Sequence, residues 1–542
     1  MKRTKLLFGI ALSSLLSVAA LTGCTGEGGD YDDQGRLILN MKNVYWEGFD
    51  GSDTYTEEIN NKFGVKIKAS NYDYSEWDGM VQTAINGNNL TDAFHFNLKA
   101  YNFGSYYERW AKDGITKPLP EDMSRWPHLQ EMLSHVSNID ALKVVADGDD
   151  TARLYGIPIM NDTVNYQKDF SNFTYVYRRD WAKAIDAQHA GQAGWKNVYK
   201  EGDVYTWEEF NRLVDAFQKY FQTDEVLKKN AVLVDESWGF PSLTNFYKDV
   251  PHCFAKDESG RAINAFTSDK YIAGLEKSKQ FVSDKYYSQD QFNFAANKAN
   301  ELYVGGQAGI LYDNFSLANY IKLRKALRKQ PNVDDATAIM RIKGPDGKFA
   351  LEGTENWFSM TLFNYDISDE KMEKILDIID YLLTEEGTRF AIYGKEGYDY
   401  NIVDGEVVLT EKGWEKGSDG QYAQKINGAK FLRYMASLGN ETKSFDPYTD
   451  MDAYKVLNKW SDEMKQAKAD GLLRVVKEPA DIDWMSTPTK NDKTESILYD
   501  ANNFALKYAF SKLDSIEAYK AEFAKIPAWE RILNEINAKL GF

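Results

Sequence analysis

Residues 6–21 are apolar, broken only by Gly9, Ser13, Ser14 and Ser17, and Lys2, Arg3 and Lys5 stand in front of them. A spanning helix needs ~20 apolar residues, so this run is too short and too interrupted. It reads as a secretory signal peptide. Beyond it the pattern changes to short alternating segments. Residues 37–46 are apolar-rich and end in the turn residues Glu47-Gly48-Phe49-Asp50-Gly51, which predicts a strand. A helix over 55–63 closes at Gly64, the residue a left-handed C-cap favours. Residues 65–69 alternate as a second strand. Residues 76–86 carry Trp77, Met80, Val81, Ala84 and Ile85 at helical spacing, and 92–96 read as a third strand. Strands alternating with helices predict βαβ units and a largely parallel sheet. Ligands of such sheets sit beyond the carboxyl ends of the strands.

Further along, Thr206-Trp207-Glu208-Glu209 is a capping box, in which hydroxyl and carboxylate each satisfy the other residue's amide. Residues 368–387 carry Met372, Ile375, Leu376, Ile379, Leu382 and Leu383 as one amphipathic helix. The tail, 401–542, is mostly helical by period: 450–468 and 494–510 are helices, and Pro527 splits 516–540 in two. Trp460, Trp484 and Trp529 fall among its apolar positions and belong to the core, as does Trp77.

Leu21-Thr22-Gly23-Cys24 ends the apolar run where a small-residue cleavage site is usual, and it resembles a bacterial lipobox. That implies cleavage before Cys24 and lipidation of the new terminus; the alternative is an ordinary signal peptide with a chance cysteine. Residues 25–30 then have the composition of a flexible tether. Loss of Lys2, Arg3 and Lys5 takes the formal charge from −17 to −20. So negative a surface repels phosphate backbones, which argues against nucleic acid as a partner. Cys253 has no partner once Cys24 is lipidated, so no structural disulfide forms. The mature chain exceeds one domain, so two or more lobes are expected. With 13 Trp, 34 Tyr and 29 Phe, rings exceed what a polar chain ordinarily needs; most are core, and a minority can stack on sugar faces.

Catalytic signatures are missing. The five histidines (95, 128, 135, 189 and 252) form no H-E-x-x-H pattern, so a zinc site is not expected. There is no G-x-S-x-G elbow and no P-loop; Gly305-Gly306-Gln307-Ala308-Gly309 lacks the basic residue a phosphate needs. Asp147-Gly148-Asp149-Asp150 lacks the closing glutamate of a calcium loop. Paired acids such as Glu208-Glu209, Asp334-Asp335 and Glu385-Glu386 are solvated faces in a chain with 82 acids. No cofactor, metal or catalytic residue is expected.

Phe63-Gly64-Val65-Lys66-Ile67 followed by Thr91-Asp92-Ala93-Phe94 resembles the opening of family 1 extracellular solute-binding proteins, the family of the maltodextrin-binding protein. Leu154-Tyr155-Gly156-Ile157-Pro158, Tyr175-Val176-Tyr177-Arg178-Arg179-Asp180-Trp181, Thr206–Phe210 and Leu302–Ile310 are similar to later landmarks, in the family's order. Tyr393-Gly394-Lys395-Glu396-Gly397-Tyr398-Asp399-Tyr400 resembles a segment of its large lipoprotein branch, common in Gram-positive bacteria. Thr91 stands where proline is usual and Gln307 where the family has lysine.

The resemblance implies an α/β fold of the two-lobed, type II periplasmic-binding-protein kind, with a hinge and a helical C-terminal extension. It implies a signal peptide over 1–23, a lipidated tether over 24–35, a first lobe from 36–160 and 335–398, and a second from 161–334 and 399–542. The function implied is that of a monomeric, lipid-anchored importer component at the outer face of the cell membrane. It would capture a carbohydrate and pass it to ABC permease subunits. By position, the expected ligand residues are Trp46, Glu47, His95, Asn97 and Tyr101 from the first lobe, with Trp357 on the returning segment. From the second come Arg178, Trp238, Phe240, Asp313 and Asn314. Each has a structural alternative: Trp46 can cap the core, His95 can be a hydrogen-bonded strand-end residue, and Arg178 can pair with Asp180. Two rival classes are a surface glycan-binding lipoprotein on a helical-repeat scaffold, which predicts helices throughout, and a lipid-anchored glycoside hydrolase. A peptide cargo is a further alternative.

Overall fold

The computed structural model describes residues 30–43, 51–72, 77–160, 169–223, 231–236, 242–288, 290–295, 297–327, 336–416, 422–424, 432, 435 and 451–542. In chain order the strands that frame the molecule begin with Leu37–Asn43 (β1), Val65–Asn71 (β2), Ala93–Phe96 (β3) and Gly156–Met160 (β4). Next come Phe173–Tyr177 (β5), Val204–Tyr205 (β6), Ala231–Asp235 (β7), Ala308–Asn314 (β8) and Ala338–Ile342 (β9). Phe349–Glu352 (β10), Trp357–Phe363 (β11) and Leu473–Val476 (β12) close the series. They make two five-stranded sheets, ordered β2-β1-β3-β11-β4 and β6-β9-β5-β8-β7, and a two-stranded ribbon β10-β12.

In the first sheet β1 runs parallel to β2 and β3, as the βα alternation predicts. Only β11 runs against its neighbours, because it enters from the second lobe. Helix α1, Thr54–Phe63, starts at Asp53, whose carboxylate accepts the Tyr55 and Thr56 amides, and stops at Gly64 in the left-handed region (φ 66°). Helix α2 covers Trp77–Asn86. The first core joins Leu39, Val65, Phe94 and Trp110 with Ile375, Ile379 and Leu382. In the second sheet β5 is antiparallel to β8 and β9. Its main helix α3, Trp207–Thr223, carries the capping box: the Thr206 amide donates to Glu209 Oε2 (3.0 Å) and the Glu209 amide to Thr206 Oγ1 (3.3 Å). Phe210, Leu213 and Phe217 of α3 pack on Tyr177, Leu233 and Ile310.

Helix α4 is Asp269–Ser283, and the segment expected as one helix over 368–387 is two, α5 (Asp369–Leu383) and α6 (Glu385–Tyr393). Thr384 is extended (ψ 162°) and its hydroxyl accepts the Gly387 amide, so the hydrophobic period runs on while the backbone turns. The tail adds α7 (Met451–Ala469), α8 (Ala480–Asp483), α9 (Pro488–Ala509), α10 (Ile516–Ala524) and α11 (Pro527–Leu540). It also holds strands that helical periodicity did not predict: hairpins pair 400–403 with 406–409 and 414–416 with 422–424. Tyr400 packs on Ile392 and Tyr393 of α6, and Leu432 and Met435 lie in the first core. Helix α7 packs on the second sheet, with Trp460 and Met464 against Val176 and Leu311.

Helix α9 touches both lobes. Near its start Ser105 Oγ donates to the Asn491 carbonyl, and Trp484 just before it lies 5.7 Å from Phe103, ring to ring. Near its end Lys279 of α4 sits 4.2 Å over the Tyr508 ring. Trp460, Trp484 and Trp529 are all buried, as their spacing predicts.

Candidate ligand-binding site

The connections between the lobes place a cleft. Parallel strands of the first sheet end at Asn43 and Phe96, and β4 ends beside them at Met160, where β11 begins with Trp357 opposite it. In the second sheet β7 and β8 end at Asp235 and Asn314, and β5 begins there with Phe173 opposite Asn314. The chain leaves the first sheet from its carboxyl edge after β4 and enters the second at its carboxyl edge before β5. It returns from β10 to β11 between the same two edges. Those edges therefore face each other across the crossovers. Three crossing strands lie side by side: Phe170 bridges Gly353, the Ser171 amide donates to Glu352 O (2.8 Å), and β10 pairs with β12. Three narrow crossing strands make a hinge.

On the first-lobe edge, Asn97 and Tyr101 follow β3 and are half-buried. Asn102 fixes their turn, accepting the Lys99 amide (2.8 Å) and donating to Asn97 O (3.4 Å). On the second-lobe edge, Asn314 has a carboxamide oxygen with no hydrogen-bond partner, while its backbone amide donates to Asp313 Oδ1 (2.6 Å). Asp313 itself is buried and engaged: Asn300 Nδ2 donates to it (2.8 Å) and to Glu236 Oε2 (3.0 Å). Asp235 accepts the Ser242 amide (2.8 Å), the Ser242 hydroxyl (2.7 Å) and the Tyr287 hydroxyl (2.9 Å). Burial nonetheless pushes its carboxyl up to about 6.

Beside this edge is a small concavity of about 20 Å³, room for about one water, whose walls include Phe173, Tyr175, Asn245, Phe246, Tyr312 and Trp460. Phe173 stacks on Tyr312 (5.9 Å, 28°) and Tyr175 on Phe246 (6.0 Å, 17°). Asn245 Nδ2 donates to the Tyr312 hydroxyl (2.7 Å), leaving its oxygen unpartnered. Tyr175, Phe246, Tyr312 and Trp460 are each 8% exposed or less, so these rings are core packed beneath the edge and present no free face to a ligand.

Not every expected residue is brought to the cleft. Arg178 follows β5, which runs antiparallel, so it stands at the far edge of the second sheet from Asn314. There its Nε donates to Asp180 Oδ1 (2.9 Å) and its guanidinium lies 4.2 Å over Trp181. The structural alternative describes it. His95 is inside β3 and 3% exposed, its carbonyl accepting the Trp77 indole N–H (2.9 Å). Trp357 is on the cleft edge but 2% exposed; its indole donates to Ser137 O (3.2 Å) and Trp484 covers it at 5.9 Å. Neither presents a free ring to a ligand. Trp46, Glu47, Trp238, Phe240 and Cys24 lie outside the described residues.

The Asn245 amide beneath this edge is not marked by any sequence pattern. Asp235-Glu236 closing the apolar run 231–234 was the available signal for that strand end. Among the described residues no group of three or more His, Cys, Asp or Glu is placed to hold a metal ion, and no helix is long and apolar enough to cross a membrane.

Solved structures share this architecture. Alginate-binding protein AlgQ2 superposes with a TM-score of 0.60 at 13% identity, over 92% of this chain and 97% of that one. FusA, an ABC-transporter substrate-binding protein of S. pneumoniae solved with fructo-nystose, gives 0.59 at 14% over 93% and 99%. An HMO-binding, ABC-transporter-associated solute-binding protein from Bifidobacterium longum infantis gives 0.59 at 12% over 93% and 99%. The chain has the two-lobed fold of ABC-transporter solute-binding proteins. At this identity the likeness is one of fold. A curated relative, lipoprotein LipO of Bacillus subtilis (strain 168), is 24% identical over 156 residues, 29% of this chain and 31% of LipO. The chain thus matches about a third of that relative's length. No family model matches. Two five-stranded sheets also exclude the helical-repeat scaffold as the architecture.

Proposed function

We propose that this protein is the lipid-anchored solute-binding component of an ABC importer, holding a carbohydrate, in particular an oligosaccharide, between two lobes. It delivers that cargo to permease subunits in the membrane to which Cys24 tethers it. The observation that supports this reading best is the pair of carboxyl edges facing each other across the hinge strands, with the Asn314 carboxamide oxygen left without a partner on one of them. The neighbours' ligands, fructo-nystose and alginate, are glycans. Asn97 and Tyr101 act from the first lobe and Asn314 and Asn245 from the second, with Trp46, Glu47, Trp238 and Phe240 as further contacts. Amides take hydroxyls and rings take the C–H faces. The protein binds its sugar without cleaving it.

A thermal-shift screen of the chain from Asp30 onward tests this, against neutral oligosaccharides, oligouronates and peptides. A ligand that binds only the folded state adds ~2.7 kcal/mol at a hundredfold excess over Kd. A shift with one glycan class, and no cleavage products on long incubation, supports the reading. Cleavage favours the hydrolase, and a shift with peptides alone replaces the cargo.

A further inference from the structure

We propose that the first-lobe edge opposite the cleft is the face turned to the bilayer, so that the tethered protein stands with its cleft pointing away from the membrane. This rests on the lipid anchor proposed above at Cys24.

The geometry starts where the chain is first fastened. The Asp30 carbonyl accepts the Ile38 amide (2.7 Å), and Asp30 Oδ1 pairs with Lys371 Nζ (2.8 Å). Tyr31 bridges Leu37, and its hydroxyl donates to Glu370 Oε2 (3.1 Å). Arg36 is held by Asp32 (2.8 Å) and Glu57 (2.5 Å). All of these contacts lie at the start of β1 or the start of α5. Both are on the sheet edge away from Asn43, Phe96 and Trp357.

Cys24 lies six residues before Asp30, and six residues span at most ~22 Å. Strand β1 has seven residues, which carries the cleft edge ~20 Å beyond the fastening point. With the body upright, the anchor brings the fastened edge to the bilayer and keeps the cleft edge off it. To lay the cleft on the membrane, the tether would have to spend its whole reach running back along the sheet.

The chemistry of this edge suits zwitterionic headgroups. Tyr31 and Tyr365 stand out from it, 51% and 55% exposed, and tyrosine favours the membrane–water interface. Its lysines are already paired, Lys117 with Asp369 (2.6 Å) and Lys371 with Asp30. Asp366 and Glu370 add negative charge there, which anionic lipid would repel. A permease in the same bilayer would then receive cargo only after the body tips over.

The test uses the full lipidated chain in phosphatidylcholine vesicles with an energy-transfer acceptor on the headgroups. One fluorophore is placed at Tyr365→Cys, and in a second variant at the exposed cleft-edge residue Lys99→Cys; Cys253 is buried and stays unlabelled. Transfer should be several-fold greater from position 365 than from position 99. Equal transfer, or more from position 99, overturns the proposal. Flotation reports the anchor separately: a chain that leaves the vesicles refutes lipidation, and the orientation falls with it. A Gly–Ser insertion of ~20 residues after Gly29 should erase the difference. If the difference survives the insertion, tether length does not set the orientation and the proposal fails.

Discussion

Trp484 lies against Trp357 with ring centroids 5.9 Å apart, so a side chain leading into the C-terminal helices seals the first residue of the strand that re-enters the first lobe. Phe103 completes the contact at 5.7 Å. Trp484→Ala should cost about 3 kcal/mol in chemical denaturation, the usual toll for emptying an aromatic site. Trp484→Phe should lose far less, because the Trp484 indole N–H has no partner.

Arg178 and Asn314 sit at opposite edges of one sheet, which separates stability from binding. Asn314→Ala and Asn97→Ala should each weaken glycan binding about tenfold, ~1.4 kcal/mol, with melting unchanged. Arg178→Ala should do the reverse: Asp180 loses its ion-pair partner and Trp181 the cation over its ring, while titration calorimetry should find the affinity unaltered.

His95 makes the fold acid-sensitive. Burial holds its imidazole neutral, bringing its pKa from 6.5 down to about 3. The unfolded chain binds this proton below pH 6.5 and the folded one does not, so stability is full above 6.5 and falls as pH drops toward 3. At pH 5 the loss is about 2 kcal/mol. In His95→Gln, melting followed from pH 7 to 5 should fall less steeply. A slope from His252, held down to about 4 mainly by burial, should remain.

Lys248 and Glu352 form a largely buried pair at the hinge ribbon (2.9 Å). Burial pushes the Glu352 carboxyl up, but the Lys248 charge, His252 and the Lys248 hydrogen bond together outweigh it and the net direction is down. Lys248→Met should cost 3–5 kcal/mol, roughly, by leaving a carboxylate uncompensated. Adding Glu352→Gln should recover part of that in a double-mutant cycle.

Local signals in the sequence carried over where neighbouring residues suffice to decide the structure. The Thr206–Glu209 box, the Gly64 cap and the helix start at Pro527 are set by atoms within four positions, and each formed as its pattern predicts. The apolar periods also marked Trp77, Trp460 and Trp529 as core. What the pattern could not hold was strand direction and long-range cover. Nothing near Arg178 says that β5 runs against β8, and that single reversal moves it to the far edge. Nothing near Trp357 announces that Trp484 will lie on it. The helix break at Thr384 and the hairpins that pair 400–403 with 406–409 and 414–416 with 422–424 are not marked in the pattern, because amphipathic period persists where the backbone turns. Sequence alone thus determined the βα alternation of the first sheet and these local caps. Only the tertiary structure decided which strand ends share an edge, because that depends on hydrogen bonds between segments far apart along the chain.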